Sequence, residues 1–399
     1  MKSTLPNTLP GKMVDLFYRG ADRLLQSSRA HRLQELADDP LIRRILVFNP
    51  VAGLGNMVLL SGLLVNLRRL YPQAEITVAM PTSALAPVVL SKDLVDEVVP
   101  FDPAHDTRIG IMRLALRDLR GRRFDLGLGT FFSATTLTSF MLAAAGCRYR
   151  IAYAQAPHRG LLNTITLLDE GGHELDRHLR LLDFTQQLRE RRTAITLSAA
   201  AVSTARDYLA QFGLGNERPL LGIHPGCDKA NALKRWPPER FAAVVRRLSM
   251  DGAADVLVFL GPDDMAVYDC FAPLADAHVH LITSAPFERV ASLISQCRVF
   301  LSNDSGLMHV AAALDVPVVA VFGPTDTVKN SPVGSAILLS ASDVPCRPCY
   351  VAPPITCRYD RQYCLEAITV AEVITNLRHI LVRRSLADEL ASSGAGYVA

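Results

Sequence analysis

The sequence predicts an α/β protein built from two Rossmann-like halves, and three observations carry that expectation. Short β-rich runs alternate with stretches of helical period along the chain. The alternation falls into two series, separated by a link between Gln186 and Pro219. At 399 residues the chain is too long for one typical domain and suits two. Apolar runs interleaved with amphipathic helices argue for parallel sheets covered on both faces.

The first series places strands near Arg44–Asn49, Glu75–Met80, Glu97–Phe101, Phe124–Gly129 and Arg150–Ala154. Helical periods such as Leu59–Leu70 and Ile111–Leu119 lie between them. The link carries a charged run at Glu190–Arg192, a helix over Ala199–Phe212 and the breaker Gly213-Leu214-Gly215. The second series places strands near Leu220–His224, Val256–Leu260, His278–Ile282, Val299–Ser302, Val316–Phe322 and Ala336–Leu339. A last helix is expected near Val370–Val382, packed back on the first domain, with a small polar tail from Ser385. The expected division is a helical extension over 1–40, a first domain over 41–198, a second over 199–372, and a C-terminal helix and tail over 373–399.

Composition excludes several classes. Nearly half the residues are apolar (49%), enough for large cores. The formal net charge is only +3 and the basic residues are dispersed, so there is no nucleic-acid footprint. No apolar run is long enough to span a bilayer and no secretory h-region opens the chain, so a cytoplasmic protein is expected. Lys12–Leu36 has a rough helical period with Arg19, Arg23, Arg29 and Arg32 among apolar positions. It is open to two readings: an extra helix packed on the body, or peripheral association with the inner membrane at its cytoplasmic face.

Cys147, Cys227, Cys270 and Cys297 are scattered and read as ordinary small apolar residues. Cys346, Cys349, Cys357 and Cys364 are clustered as C-x2-C-x7-C-x6-C, a pattern able to set four thiolates around one zinc or iron. Free or redox-labile thiols are the competing reading, and a catalytic role is not expected.

The most informative stretch runs from Phe300 to Asp326, as strand, polar turn, short helix and buried strand. Asp304 or Ser305 suits the cap of that helix, and Gly306 allows close backbone approach to a ligand. His309 falls near the free amides and the positive end of the helix, where phosphate or diphosphate can bind. Gly323-Pro324-Thr325-Asp326 is expected on the same rim. Ahead of another helix, a loop carries Lys229, Lys234 and Arg235; a lysine there can hold phosphate as a point charge. Pro237 and Pro238 sit where a first helical turn tolerates proline. The competing reading is an ordinary βαβ unit with solvated loop cations and a packed histidine.

Together, H-P-G…K-R-W-P, N-D-S-G-x-x-H-x-A-A-A-L and F-G-P-T resemble the heptosyltransferases of glycosyltransferase family 9. The opening I-L-V-F-N-P-V-A-G-L-G-N and the following Y-P-x-A-x-I resemble that family's first strand, glycine turn and second strand. The likeness covers roughly residues 43 to 380 and is most specific in the C-terminal half. It implies a GT-B fold, two Rossmann-like domains with parallel sheets facing a central cleft. The first domain would take the acceptor and the second the nucleotide-sugar. It also implies an inverting transfer that needs no cofactor for catalysis. ADP-L-glycero-β-D-manno-heptose is the implied donor and lipopolysaccharide core or a related surface glycan the implied acceptor, a glycolipid included. The positions matching the donor-binding motif are Lys234, Asp304, Ser305, Gly306 and His309, with Asp304 set to touch sugar hydroxyls or cap the helix. Gly261, at the end of another second-domain strand, sits where the nucleoside can be held or where the chain merely turns.

One departure stands out. After Gly53 and Gly55, where the family's proposed base is aspartate, this chain has Asn56, and a neutral amide takes up no proton. Ser61-Gly62 likewise replaces the usual Thr-Pro. Asp102, His105 or Asp106 can supply the base, or Asn56 can orient the acceptor while the proton leaves late. A protein that binds donor without transferring it is the third reading, and an asparagine that only shapes the turn is the plainest. Another donor or a protein acceptor is an alternative within the same class. An NAD-dependent oxidoreductase fits poorly, because Gly53-x-Gly55 is followed by no third glycine.

Overall fold

The structure is a computed structural model that describes residues 36, 42–51, 53–81, 89–101, 115–130, 136–154, 163–227, 229–349, 356–359 and 361–392. The chain divides into two compact units. One comprises 1–52 with 62–190, and the other Gly53–Ser61 with Arg191–Ala399.

In the first unit the strands are β1 (Arg44–Phe48), β2 (Glu75–Pro81), β3 (Glu97–Phe101), β4 (Leu126–Gly129), β5 (Tyr149–Tyr153) and β6 (Ile165–Leu167). They form a parallel sheet in the order β3-β2-β1-β4-β5-β6. Helix α1 (Leu54–Leu70) follows β1, and α2 (Thr136–Ala144) and α3 (Glu174–Arg180) follow later. At the carboxyl ends of β1 and β4, where the order reverses, Thr130 Oγ1 donates to Asn49 Oδ1 at 2.9 Å.

The second unit repeats the plan. After α4 (Ala199–Gln211) come β7 (Leu220–His224), α5 (Pro238–Met250), β8 (Asp255–Leu260), β9 (Val279–Thr283), α6 (Phe287–Ile294), β10 (Val299–Asn303), α7 (Gly306–Ala313), β11 (Val318–Phe322), β12 (Ala336–Ser340) and α8 (Val370–Ser392). The sheet order is β12-β11-β10-β7-β8-β9, parallel throughout. Helix α5 shows why these segments fold as they do. Pro238 occupies its first turn, where a missing N–H costs nothing, and Glu239 favours the positive end. Phe241, Val244, Val245 and Leu248 recur at helical spacing and are wholly buried. Each such side chain contributes roughly 1.5–3 kcal/mol by leaving water.

Most strand expectations agree with these bounds to within two residues. Two differences have physical causes. The β6 segment is three half-buried residues, too short to stand out from the loop around it. Helix α1 begins at Leu54 and not Leu59, because Gly53 with φ +116° turns the chain straight into it. In the final helix, Val373, Leu377 and Leu381 join the core of the second unit, and Arg378 pairs with Asp251 after α5. Of Ile111–Leu119, only Ala115–Leu119 is described, as a π-helical turn. Apart from Leu36, the segment Lys12–Leu36 lies outside the described residues. Among the described residues no helix is long and apolar enough to cross a membrane.

Gly222 in β7 shows how tightly the second sheet is packed. A Cβ there would lie 2.5 Å from Phe300 Cδ2 and 3.0 Å from Cys297 Sγ. Gly222→Ala is therefore expected to destabilise the protein by about 1–3 kcal/mol through overpacking. A chemical-denaturation midpoint equal to wild type would contradict this packing.

Candidate active site

In an open α/β sheet, ligands bind beyond the carboxyl ends of the strands where the order reverses. In the second unit that point lies between β7 and β10, which end at His224 and Asn303. Buried polar side chains gather there, among them His224, Ser302, Asn303, Asp304 and Ser305.

Asn303 is wholly buried. Its Nδ2 donates to the carbonyls of Pro225 at 2.8 Å and Gly226 at 3.2 Å, and its Oδ1 accepts from the Trp236 amide at 2.9 Å. One carboxamide thus ties the loop after β7 to the entry of α5 and to the end of β10. Next to it, Lys234 Nζ lies 3.0 Å from Asp304 Oδ2, with side chains 13% and 6% exposed. A charge pair this dry survives only with both members, and removing one leaves a buried charge uncompensated.

A second network surrounds His224. Its Nε2 lies 3.2 Å from Asp264 Oδ2 and its Nδ1 lies 3.0 Å from Ser305 Oγ. Arg235 donates to Asp264 Oδ1 and to the carbonyls of Cys227 and Asp263. Burial alone would raise the Asp264 carboxyl, but His224, the Gly261 amide and Arg235 together hold it below its usual value. Its contribution to stability is therefore present above the unfolded carboxylate range and is lost as pH falls through the folded value. Gly226 is required beside it, since a Cβ there would sit 1.9 Å from Asp264 Oδ1.

The start of α7 differs from the expected cap. Ser305 is the N-cap, yet its side chain makes no capping bond, because Oγ is engaged by His224 and, at 2.9 Å, by Ser302 Oγ. Asp304 turns to Lys234 and does not cap the helix. His309, fourth in the helix, is buried. Gly306 serves packing as well: a Cβ there would lie 2.8 Å from Leu54 Cβ, and one on Gly55 would lie 2.9 Å from His309 Cδ2. The beginning of α1 and the beginning of α7 therefore meet glycine to side chain. Asn56 sits half-buried in the first turn of α1 with ordinary helical backbone, so the special turn geometry belongs to Gly53 and not to Asn56.

The other predicted positions sort as follows. Gly261 opens a 3-10 turn, Pro262–Val267, and its amide donates to Asp264 at 3.1 Å, so the turn belongs to the His224 network. Gly323 to Asp326 follow β11 on the same rim, where Thr325 is wholly buried. Arg347 donates to the carbonyls of Gly323 and Thr325, and the Cys349 amide donates to that of Pro324 at 2.9 Å. The cysteine-rich segment is thus latched to this loop. Cys346, Cys349, Cys357 and Cys364 line one small pocket. Burial, then the neighbouring thiols, pushes Cys349 up; at Cys364 burial and the other thiols outweigh the lowering effect of Arg347. The donor set suits zinc or iron, but among the described residues no group of three or more ligating side chains is gathered at metal-holding geometry. Of the scattered cysteines, Cys147 is pushed up to about 12 by burial, as expected of an inert thiol. Asp102, His105 and Asp106 lie outside the described residues, and the side chain of Lys229 does too.

The sequence reading gives no individual role to His224, Asp264 or Asn303. The available signal is position: His224 and Asn303 each end a strand flanking the reversal, and Asp264 lies three residues past a strand-ending glycine.

The family model "Glycosyltransferase family 9 (heptosyltransferase)" matches residues 112–359. The chain belongs to glycosyltransferase family 9. Lipopolysaccharide heptosyltransferase 2 of Salmonella typhimurium is 31% identical over 304 residues, covering 73% of this chain and 85% of that one. The structure of E. coli ADP-heptose LPS heptosyltransferase II aligns with a TM-score of 0.66 at 25% identity, over 86% of this chain and 99% of that chain. A family 9 glycosyl transferase from Veillonella parvula aligns with a TM-score of 0.70 at 22% identity, over 86% and 97% of the two chains. The fold is GT-B and the protein is a glycosyltransferase. Lys234 and Asp304 to His309 fall within the matched family region, whereas Gly53, Gly55 and Asn56 precede it.

Asn303→Asp keeps an acceptor for the Trp236 amide but sets carboxylate oxygen against two carbonyls. The transferase variant is expected to lose about 2–3 kcal/mol of stability, the cost of stranded buried polar groups. Thermal unfolding unchanged from wild type would show that the loop after β7 and the entry of α5 are held some other way.

Proposed function

We propose that this transferase moves a heptose from an ADP-heptose to a sugar of lipopolysaccharide core or a related surface glycan, with inversion and without a metal in the reaction. The observation behind this reading is the cluster at the β7–β10 reversal, where Lys234, Asp304, Ser305, Gly306 and His309 surround a helix start that its own serine does not cap. Helix amides and a lysine are suited to the diphosphate, whose growing negative charge is the main barrier to departure. The heptose and lipopolysaccharide labels rest on the names of the relatives, whose identity of about 30% spans most of the chain.

Asn56, in the first turn of α1, orients the acceptor hydroxyl in this scheme but takes no proton. The proton passes to a first-domain carboxylate or histidine, for which Asp102, His105 and Asp106 are the candidates. Gly53 and Gly55 shape the acceptor-side turn, and Gly261 lies on the nucleoside side. A glycolipid acceptor would bring the enzyme to the inner membrane surface, with Lys12–Leu36 as the contacting segment.

Calorimetric titration tests the donor assignment. ADP-heptose is expected to bind, and UDP-glucose, GDP-mannose and NAD are not; a different nucleotide-sugar binding best would remove the heptose label. Lys234→Gln is expected to weaken ADP-heptose binding roughly ten- to a hundredfold, the worth of a hydrogen bond to a charged group. Unchanged affinity would sink the phosphate role of Lys234.

For the cysteine pocket we propose a structural zinc or iron, held by Cys346, Cys349, Cys357 and Cys364. Its support is that the four thiols line one pocket and are the soft donors these ions take. Elemental analysis of full-length protein purified without chelator is expected to find about one ion per chain, since structural sites fill on folding. Protein free of both metals would rule the site out.

A further inference from the structure

A serine at an N-cap ordinarily turns its Oγ onto the second or third amide of the helix and closes that end. Ser305 does not, although it is the N-cap of α7. Its hydroxyl lies between His224 Nδ1 at 3.0 Å and Ser302 Oγ at 2.9 Å. His224 in turn is fixed from its other side. Asp264, ionised and also bonded by Arg235 and the Gly261 amide, faces Nε2 and so places the ring proton there. Nδ1 is the ring nitrogen left facing the Ser305 hydroxyl. His224, Asp264 and Ser305 are all less than a tenth exposed, so the ring has no alternative solvent-facing orientation to relax into.

We propose that His224 is a positioning residue for the donor: anchored by Asp264, it holds the Ser305 hydroxyl off the α7 amides and keeps that helix start open to phosphate oxygens. The proposal rests on the donor reading above and adds a device to it. The chain has a capping side chain in place and a second side chain that prevents it from capping. Without His224 the serine would close the helix and compete with the ligand.

The two ring nitrogens can be separated by substitution. His224→Asn keeps an amide on the side of Nδ1, facing Ser305, and gives up the contact with Asp264. His224→Gln reaches Asp264 and releases Ser305. In full-length protein titrated with ADP, His224→Gln is expected to weaken binding roughly tenfold, the size of one competing cap bond. Its thermal midpoint should hold or rise, because the helix gains its cap. His224→Asn, which keeps a partner for Ser305 but loses the Asp264 anchor, should weaken ADP binding less than His224→Gln does. Adding Ser305→Ala to His224→Gln should return ADP affinity to that of Ser305→Ala alone, since the competitor is gone.

A merely structural histidine would lose affinity and thermal stability together, and that result overturns the proposal. So does a His224→Gln defect that Ser305→Ala leaves in place. Lys234→Gln separates the donor site from the device at His224. If it weakens ADP binding while His224→Gln does not, only the role of His224 fails. If wild-type protein binds no ADP, the donor reading and this inference fall together.

Discussion

The carboxamide of Asn303 is the contact on which the rest of the second unit's site depends. It satisfies two carbonyls of the loop after β7 and one amide at the entry of α5 that would otherwise be stranded in a dry interior. Because they are tied to one side chain, Lys234, His224 and Asp304 are brought to one place by backbone and not by chance of rotamer. A site built this way trades flexibility for position. Interactions with a diphosphate favour that trade, since electrostatic stabilisation works best when its dipoles need not reorganise.

Around that anchor the protein accepts an unusual density of buried charge. Lys234 and Asp304 neutralise each other, and Asp264 is surrounded by His224, Arg235 and a backbone amide. Neither arrangement is an efficient source of stability, because desolvation offsets much of the attraction. The stability of the unit comes instead from the apolar layers over and under its sheet, where β7, β8, β10 and β11 are buried along their length. The corresponding reversal in the first unit carries the uncharged pair Asn49 and Thr130. The two sheets share one strand order but differ, among the described residues, in the charge gathered at its turning point.

Much of the architecture was legible because parallel strands buried on both faces give continuous apolar runs. Leu220–His224 is read with the same bounds from sequence and structure. The edge strand Ile165–Leu167 was not, since three half-exposed residues carry no periodicity. At the site, residue types in sequence pointed to Lys234 and to Asn303–His309, but not to what each would touch. Asp304 reads equally as a helix cap or a ligand contact; only the fold brings Lys234, seventy residues away, within 3.0 Å and decides its partner. Gly306 reads as a place for a ligand to approach, and the chain itself approaches there, through Leu54. His224 and Asp264 were the hardest to find, because they are forty residues apart and each, alone, is an ordinary polar residue near the end of a strand.

Trp236 is the single tryptophan of the chain, wholly buried two residues after Lys234. Its backbone amide is held by Asn303 and its indole N–H donates to the Ile368 carbonyl at 3.1 Å. The tryptophan emission of this protein therefore comes from one point, wedged between the loop that carries Lys234 and the segment that leads into α8. No label has to be added to watch this part of the molecule: excitation of the indole reads out, at one known address, whatever disturbs the junction of those two segments.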